Sequence, residues 1–263
     1  MPTFASDGLQ LHYRDEGRGR PVVLLHGFPL DGESFRPQIA GLSHRYRFLV
    51  PDHRGFGQSP RGGGISEMSR IAQDVLALLD ALELPSAVVG GVSMGGYAAI
   101  ALLREDPSRV QALVLADTQH TADDEAGRLR REETALAVER EGMVFLAGSM
   151  LPKLLSPNAP EAIRRGVDAQ IRGNDPAGVA AASRGMALRT DGRDILPRFG
   201  GPTLVVVGEQ DAVTPPAKAR ALAALIPSAQ TAIIPGAGHL ANQEAPEAFN
   251  QILDEFLARR MND

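Results

Sequence analysis

A chain of 263 residues, 43% of them hydrophobic, is long enough for one large α/β domain with room for an inserted subdomain. A net charge of −5 argues against a nucleic-acid or anionic-membrane partner, and the lack of any cysteine excludes disulfides, thiolate metal sites and a cysteine nucleophile. Met1 to Gly8 carry neither a basic region nor an apolar run, and no apolar stretch approaches the roughly 18 residues of a membrane span, so the expectation is a cytoplasmic protein without signal peptide or transmembrane helix.

In chain order, Thr3 to Ser6 and Leu9 to Arg14 read as a hairpin, because the Asp7-Gly8 pair between them favours a turn with positive φ. Pro21 to Leu25 and Arg47 to Val50 are short and almost wholly apolar, as strands buried on both faces are. Ser69 to Leu82 carries Ile71, Val75, Leu78, Leu79 and Leu82 at helical spacing. Val88 to Gly91 is a strand, Tyr97 to Arg104 continues the helix that follows the turn after it until Pro107 stops it, and Val110 to Ala116 is another strand. The alternation breaks from Thr118 to about Thr190, where Arg, Glu and Ala dominate and roughly four helices are expected, with start signals at Asn158 before Pro160 and at Asp175-Pro176. It resumes with a strand over Pro202 to Gly208, a helix from Pro216 to Leu225, a strand from Thr231 to Ile234 and a closing helix from Pro246 to Arg259. The expectation is an α/β fold: a mostly parallel, doubly wound sheet of about eight strands, with residues 1–117 and 191–263 as the core and 118–190 as a helical lid. Lying between two strands of one sheet, the lid should cover the sheet's C-terminal edge, where open α/β sheets bind ligands.

The most informative stretch is Gly91-Val92-Ser93-Met94-Gly95, a strand running into a small-residue turn and then a helix. Such a turn holds its serine in a strained backbone conformation and requires neighbours without side chains. Ser93 would stand above the sheet edge next to unpaired helix N–H groups, suited to attack a carbonyl. A serine hydroxyl needs a base, and His239, in Pro235-Gly236-Ala237-Gly238-His239 after the last strand, lies at the same edge. Asp211, after the preceding strand in Gly208-Glu209-Gln210-Asp211, completes a nucleophile, acid and histidine in chain order. Two backbone donors would receive the oxyanion: the N–H of Met94 and, from His26-Gly27-Phe28-Pro29, that of Phe28, since Pro29 has none.

These segments, together with Asp52-His53-Arg54-Gly55-Phe56-Gly57-Gln58-Ser59, stand in the order of the α/β-hydrolases, and the chain resembles that family over nearly its whole length. Within it the chain resembles small capped bacterial carboxylesterases, 3-oxoadipate enol-lactonases and cofactor-free haloperoxidase or perhydrolase relatives. The resemblance implies a serine hydrolase cleaving a small carboxylic ester or lactone through an acyl-enzyme, with no metal or organic cofactor. A serine at the elbow sets it apart from haloalkane dehalogenases and epoxide hydrolases, which use aspartate there. Two other readings keep the same site: a perhydrolase in which peroxide replaces water, and a slow ligand sensor that recruits a partner through the lid. Asp117 competes with Asp211 as the acid, because some relatives carry it there; otherwise it caps the chain entering the lid. Asp52 and Arg54 read as ties for the loop carrying Gly55 and Gly57, His26 as an organiser of the oxyanion loop, and His120 as a solvated histidine. The arginines at 128, 131, 164, 165, 184 and 189 read as helix charges or as partners for a substrate carboxylate, and Met94, Met143, Met150 and Met186 as acyl-pocket lining or core.

Overall fold

A computed structural model describes residues 2–259. Asp7 and Gly8 take φ of 49° and 76° and turn β1 (Thr3–Ser6) back along β2 (Leu9–Gly17), with Ser6 opposite Leu9. The apolar runs become β3 (Arg20–Leu25), β4 (Tyr46–Pro51), β5 (Ala87–Val92), β6 (Val110–Ala116) and β7 (Thr203–Gly208), and β8 (Ala229–Ile234) follows at the edge. The sheet order is β1-β2-β4-β3-β5-β6-β7-β8. The pairings β1–β2 and β2–β4 are antiparallel and all others are parallel. Every residue of β5 and β7 is buried, which is why these strands are continuous in apolar and small residues, whereas edge strand β8 alternates in exposure.

The sheet is flanked by α1 (Arg36–Leu42), α2 (Met68–Ala81) and α3 (Met94–Glu105). Helix α3 begins at Met94, directly after the elbow serine, with the glycines of the elbow in its first turn. Between β6 and β7 the described residues contain no strand but three α-helices, α4 (Glu125–Leu154), α5 (Glu161–Gly173) and α6 (Pro176–Ala187), followed by a 3-10 turn over Leu196–Arg198. Gly142, at φ 77° and ψ −174°, breaks α4 into two rods, which brings the number of α-helical segments to four. Asp124 caps α4 by accepting from the Gly127 N–H, and Asp175 caps α6 by accepting from the Ala177 N–H. Helix α5 instead starts after Pro160 without a side-chain cap, so Asn158 does not serve as one. The chain closes with α7 (Pro216–Ala223), the single turn α8 (Ala241–Glu244) and α9 (Pro246–Arg259).

Helix α6 lies backbone to backbone on the loop after β4. A Cβ on Gly178 would stand 2.1 Å from the carbonyl oxygen of Gly55, and the Ser66 N–H donates to the Ala181 carbonyl at 3.2 Å. The insertion is therefore seated directly on the sheet's C-terminal side. Among the described residues no helix is long and apolar enough to cross a membrane.

One buried ion pair ties this loop to the core. Arg54 donates to both oxygens of Asp74, at 2.8 and 2.6 Å, and the Ser6 hydroxyl donates to the same carboxylate at 2.6 Å. Loop, α2 and β1 meet at one group. Asp74→Ala would leave the Arg54 guanidinium buried without its partner, and is expected to cost about 3–5 kcal/mol of stability. Urea denaturation checks this; a loss below about 1 kcal/mol would show that the pair holds nothing together.

Candidate active site

β5 delivers the chain into a turn that its next residue resists. Ser93 sits at φ 53° and ψ −113°, outside the regions open to L-residues at low cost. Its backbone is held on both sides: the Ser93 N–H donates to the Ala116 carbonyl at 2.9 Å, and the Ser93 carbonyl accepts from the Thr118 hydroxyl at 2.8 Å. The flanking glycines are required by contact. A Cβ on Gly95 would lie 1.9 Å from the Leu25 carbonyl oxygen, and one on Gly91 would lie 2.1 Å from the carbonyl carbon of Gly95.

The loop after β8 brings His239 over this turn, with Nε2 at 2.9 Å from Ser93 Oγ and Nδ1 at 2.8 Å from Asp211 Oδ2. Because Asp211 is an acceptor, the imidazole proton resides on Nδ1, leaving Nε2 free to accept from the serine hydroxyl. Asp211 is satisfied on its other sides: Oδ1 accepts from the N–H groups of Val213 and Thr214, both at 2.8 Å, and Oδ2 from the Thr214 hydroxyl at 2.7 Å. Burial pushes this carboxyl up, but the hydrogen bonds from His239 and Thr214 outweigh it and hold it below its ordinary value, as a carboxylate. All three residues are buried, Ser93 the most open at 8%.

Asp117 does not contact His239, and it does not cap the chain entering the insertion, which is the work of Asp124. It is fully buried, with Oδ1 accepting from the Gly208 N–H at 2.8 Å and Oδ2 from the Ala241 N–H at 3.3 Å. Burial, reinforced by the nearby Asp211, pushes its carboxyl well above the ordinary value, against the pull of those two donors.

The loop after β3 lies against the elbow. A Cβ on Gly27 would touch the Ser93 Cβ at 3.4 Å. The Gly27 carbonyl accepts from the Leu30 N–H at 2.9 Å and faces His26 Nδ1 at 3.1 Å. Since a peptide is planar, pinning that carbonyl also aims the Phe28 N–H on its other side. Met94 supplies the first N–H of α3, a position without an intrahelical acceptor. His26 Nε2 accepts from the His53 N–H at 3.0 Å, and His53 Nε2 donates to the His26 carbonyl at 3.2 Å. Burial lowers His26 to about 4 and His53 well below its ordinary value, so both are neutral struts. Asp52 accepts from the Gly32 and Gln58 N–H groups, joining the same two loops.

Thr118, Thr214 and Glu244 carry no signature in the sequence. Glu244 accepts from the Gly238 N–H at 2.9 Å and the Ser156 N–H at 3.0 Å, linking the residue before His239 to the insertion. Of the insertion's arginines, Arg184 pairs with Glu132 and Glu139, Arg131 and Arg189 with Asp123, and Arg165 with Glu161, while Arg164 donates to three backbone carbonyls. Arg128 is exposed. His120 is half-buried rather than solvated and lines a cavity of about 120 Å³ beside α3, whose walls include Tyr97 and Arg189 but not Ser93. Met94, Met143 and Met186 are buried in the core, with Met150 packed against it.

The family profile described as alpha/beta hydrolase fold matches residues 20–246. The fold is similar to that of a thermophilic esterase from Thermogutta terrifontis, at a TM-score of 0.93 and 40% identity, covering 98% of this chain and 96% of that one. It is also similar to the enol-lactonase from Burkholderia xenovorans LB400, at a TM-score of 0.91 and 29% identity, covering 98% of this chain and all of the other. In sequence the chain is 30% identical to a putative carbamate hydrolase, RutD, of Azorhizobium caulinodans, over 97% of this chain and 98% of that protein.

The loop carrying Phe28 ends at Asp31, whose Oδ1 accepts from the Glu33 N–H at 2.9 Å and whose carboxyl is pushed up to about 6 by burial. Well below pH 4 it is neutral folded or unfolded; from about 4 to 6 the unfolded chain releases its proton first, so stability falls as pH rises through this window. Asp31→Asn keeps the acceptor and removes the charge. It is expected to raise stability by about 1–2 kcal/mol at pH 7 and by almost nothing at about pH 3. Equal effects at both values, in denaturation curves, would refute this.

Proposed function

The chain belongs to the α/β-hydrolase family, and we propose that within it this protein is a serine hydrolase that cleaves small carboxylic esters or lactones through an acyl-enzyme. The observation that carries the proposal is the unbroken hydrogen-bonded line from Ser93 Oγ through His239 to Asp211, at 2.9 and 2.8 Å. In this reading His239 Nε2 takes the hydroxyl proton as Ser93 Oγ attacks the carbonyl carbon. Asp211, ionised and fully hydrogen-bonded, keeps the proton of Nδ1 in place and stabilises the imidazolium. The negative charge that develops on the carbonyl oxygen is met by the N–H groups of Met94 and Phe28, which need no reorganisation at the moment of reaction. Collapse of the tetrahedral intermediate expels the alcohol, protonated by His239, and water then repeats the sequence on the acyl-enzyme.

A small substrate is supported by the burial of Ser93, which is only 8% exposed. Likeness to an esterase and to an enol-lactonase supports an acyl carbon bonded to oxygen, since a lactone is a cyclic ester.

Hydrolysis of p-nitrophenyl esters from acetate to decanoate tests the proposal. Wild-type protein is expected to turn over the short esters, with an optimum in acyl length. Ser93→Ala is expected to lower kcat by several orders of magnitude, leaving roughly 10³-fold acceleration over water from oxyanion stabilisation and binding. Full activity in Ser93→Ala, or none in folded wild-type protein with any ester or lactone, would overturn it.

A further inference from the structure

The loop that carries Phe28 is tied down at four points. Two ties come from the core, the His53 N–H on His26 and Asp52 on the Gly32 N–H, and a third, the Leu30 N–H on the Gly27 carbonyl, lies within the loop itself. The fourth comes from the helical insertion. Asn174, the residue that ends α5, donates from Nδ2 to the Pro29 carbonyl at 3.0 Å. It is buried, at 4% exposure, and both amide hydrogens and the amide oxygen have partners. The second Nδ2 hydrogen goes to the Gln170 carbonyl at 2.9 Å, and Oδ1 accepts from the Gly57 N–H at 2.8 Å. Two carbonyls on one side and an N–H on the other admit a single orientation of the amide.

Only the bond to Gln170 is needed to end a helix. The other two reach across the seam, one to the loop of Phe28 and one to the loop of Asp52, which are themselves joined through Asp52. We propose that Asn174 is a positioning residue for the oxyanion: through it the insertion holds Pro29, and thereby sets the direction of the neighbouring Phe28 N–H. This rests on the serine-hydrolase reading above. The Pro29 carbonyl shares a planar peptide with the Leu30 N–H, which holds the Gly27 carbonyl, and that carbonyl in turn shares a peptide with the Phe28 N–H, so releasing Pro29 loosens the bond that aims the donor. An oxyanion donor acts only where the charge develops, so misalignment weakens the transition state and leaves substrate binding nearly unchanged.

The test compares wild type, Asn174→Ala and Asn174→Asp with p-nitrophenyl acetate. Active sites are counted by stoichiometric labelling with a fluorophosphonate, so that only folded protein is scored. Asn174→Asp is nearly isosteric and keeps the acceptor for Gly57, but it has no hydrogen for Pro29; it carries the test if Asn174→Ala does not fold. Both variants are expected to lose about 10- to 100-fold in kcat per active site, with KM within about threefold of wild type. A residue that only stabilises the fold would lower the melting temperature and leave kcat per active site unmoved. Values of kcat within threefold of wild type in the folded variants overturn this inference alone. Absence of Ser93-dependent turnover in wild type overturns the hydrolase reading and this inference with it.

Discussion

The site depends on a backbone that is bent against its preference. Holding a serine at φ 53° costs about 1–3 kcal/mol, and the strain persists only because the surroundings over-determine it. The N–H of Ser93 is fastened to the neighbouring strand, its carbonyl to Thr118, and the turn is closed so tightly that neither flanking glycine has room for a methyl group. The bend lifts Oγ clear of the strand and turns it toward the imidazole, with the first N–H of α3 beside it. A relaxed strand would point the side chain into a sheet face, where every position of β5 is buried.

The three segments that meet at this turn are held together from beneath by residues 116–118. Ala116 takes the N–H of Ser93, Thr118 its carbonyl, and Asp117 reaches the other two segments. Its oxygens accept from Gly208, three residues before Asp211, and from Ala241, two residues after His239. A carboxyl in an apolar interior is costly, as its raised pKa records, and the two backbone donors offset part of that cost. An apolar side chain of the same size would leave both N–H groups without acceptors. Asp117 makes its hydrogen bonds to the end of β7, just before Asp211, and to the start of α8, just after His239, and so braces the segments that carry both.

The insertion is joined to this framework at its most sensitive points rather than resting over it as a cover. Asn174 reaches the loop of Phe28, Glu244 couples the residue before His239 to Ser156, and α6 crosses Gly55 with no side chain between the backbones. Its arginines are largely occupied by its own acidic residues and carbonyls. These pairs order the insertion's surface, and exposed ones add little stability each.

The amino-acid sequence by itself determined the pieces whose causes are local. Asp7-Gly8 turns because both residues accept positive φ. The apolar runs become buried strands because a parallel sheet covered on both faces has no polar side. Gly91-Val92-Ser93-Met94-Gly95 announces its bend because only glycine fits there. The placing of Ser93, Asp211 and His239 at one edge follows from counting alternating strands and helices, so their meeting was foreseeable. Tertiary structure alone decided the rest. Helix α5 starts after Pro160 without a side-chain cap, so Asn158 marks its neighbourhood and not its cap. The clamp at Asp117 spans 91 and 124 residues of chain, and the tie from Asn174 to Pro29 spans 145. Bonds of that reach are set by which strands become neighbours and where the insertion comes to rest. No spacing or period in the chain encodes them, because an asparagine or aspartate reads alike whether water or a distant backbone satisfies it.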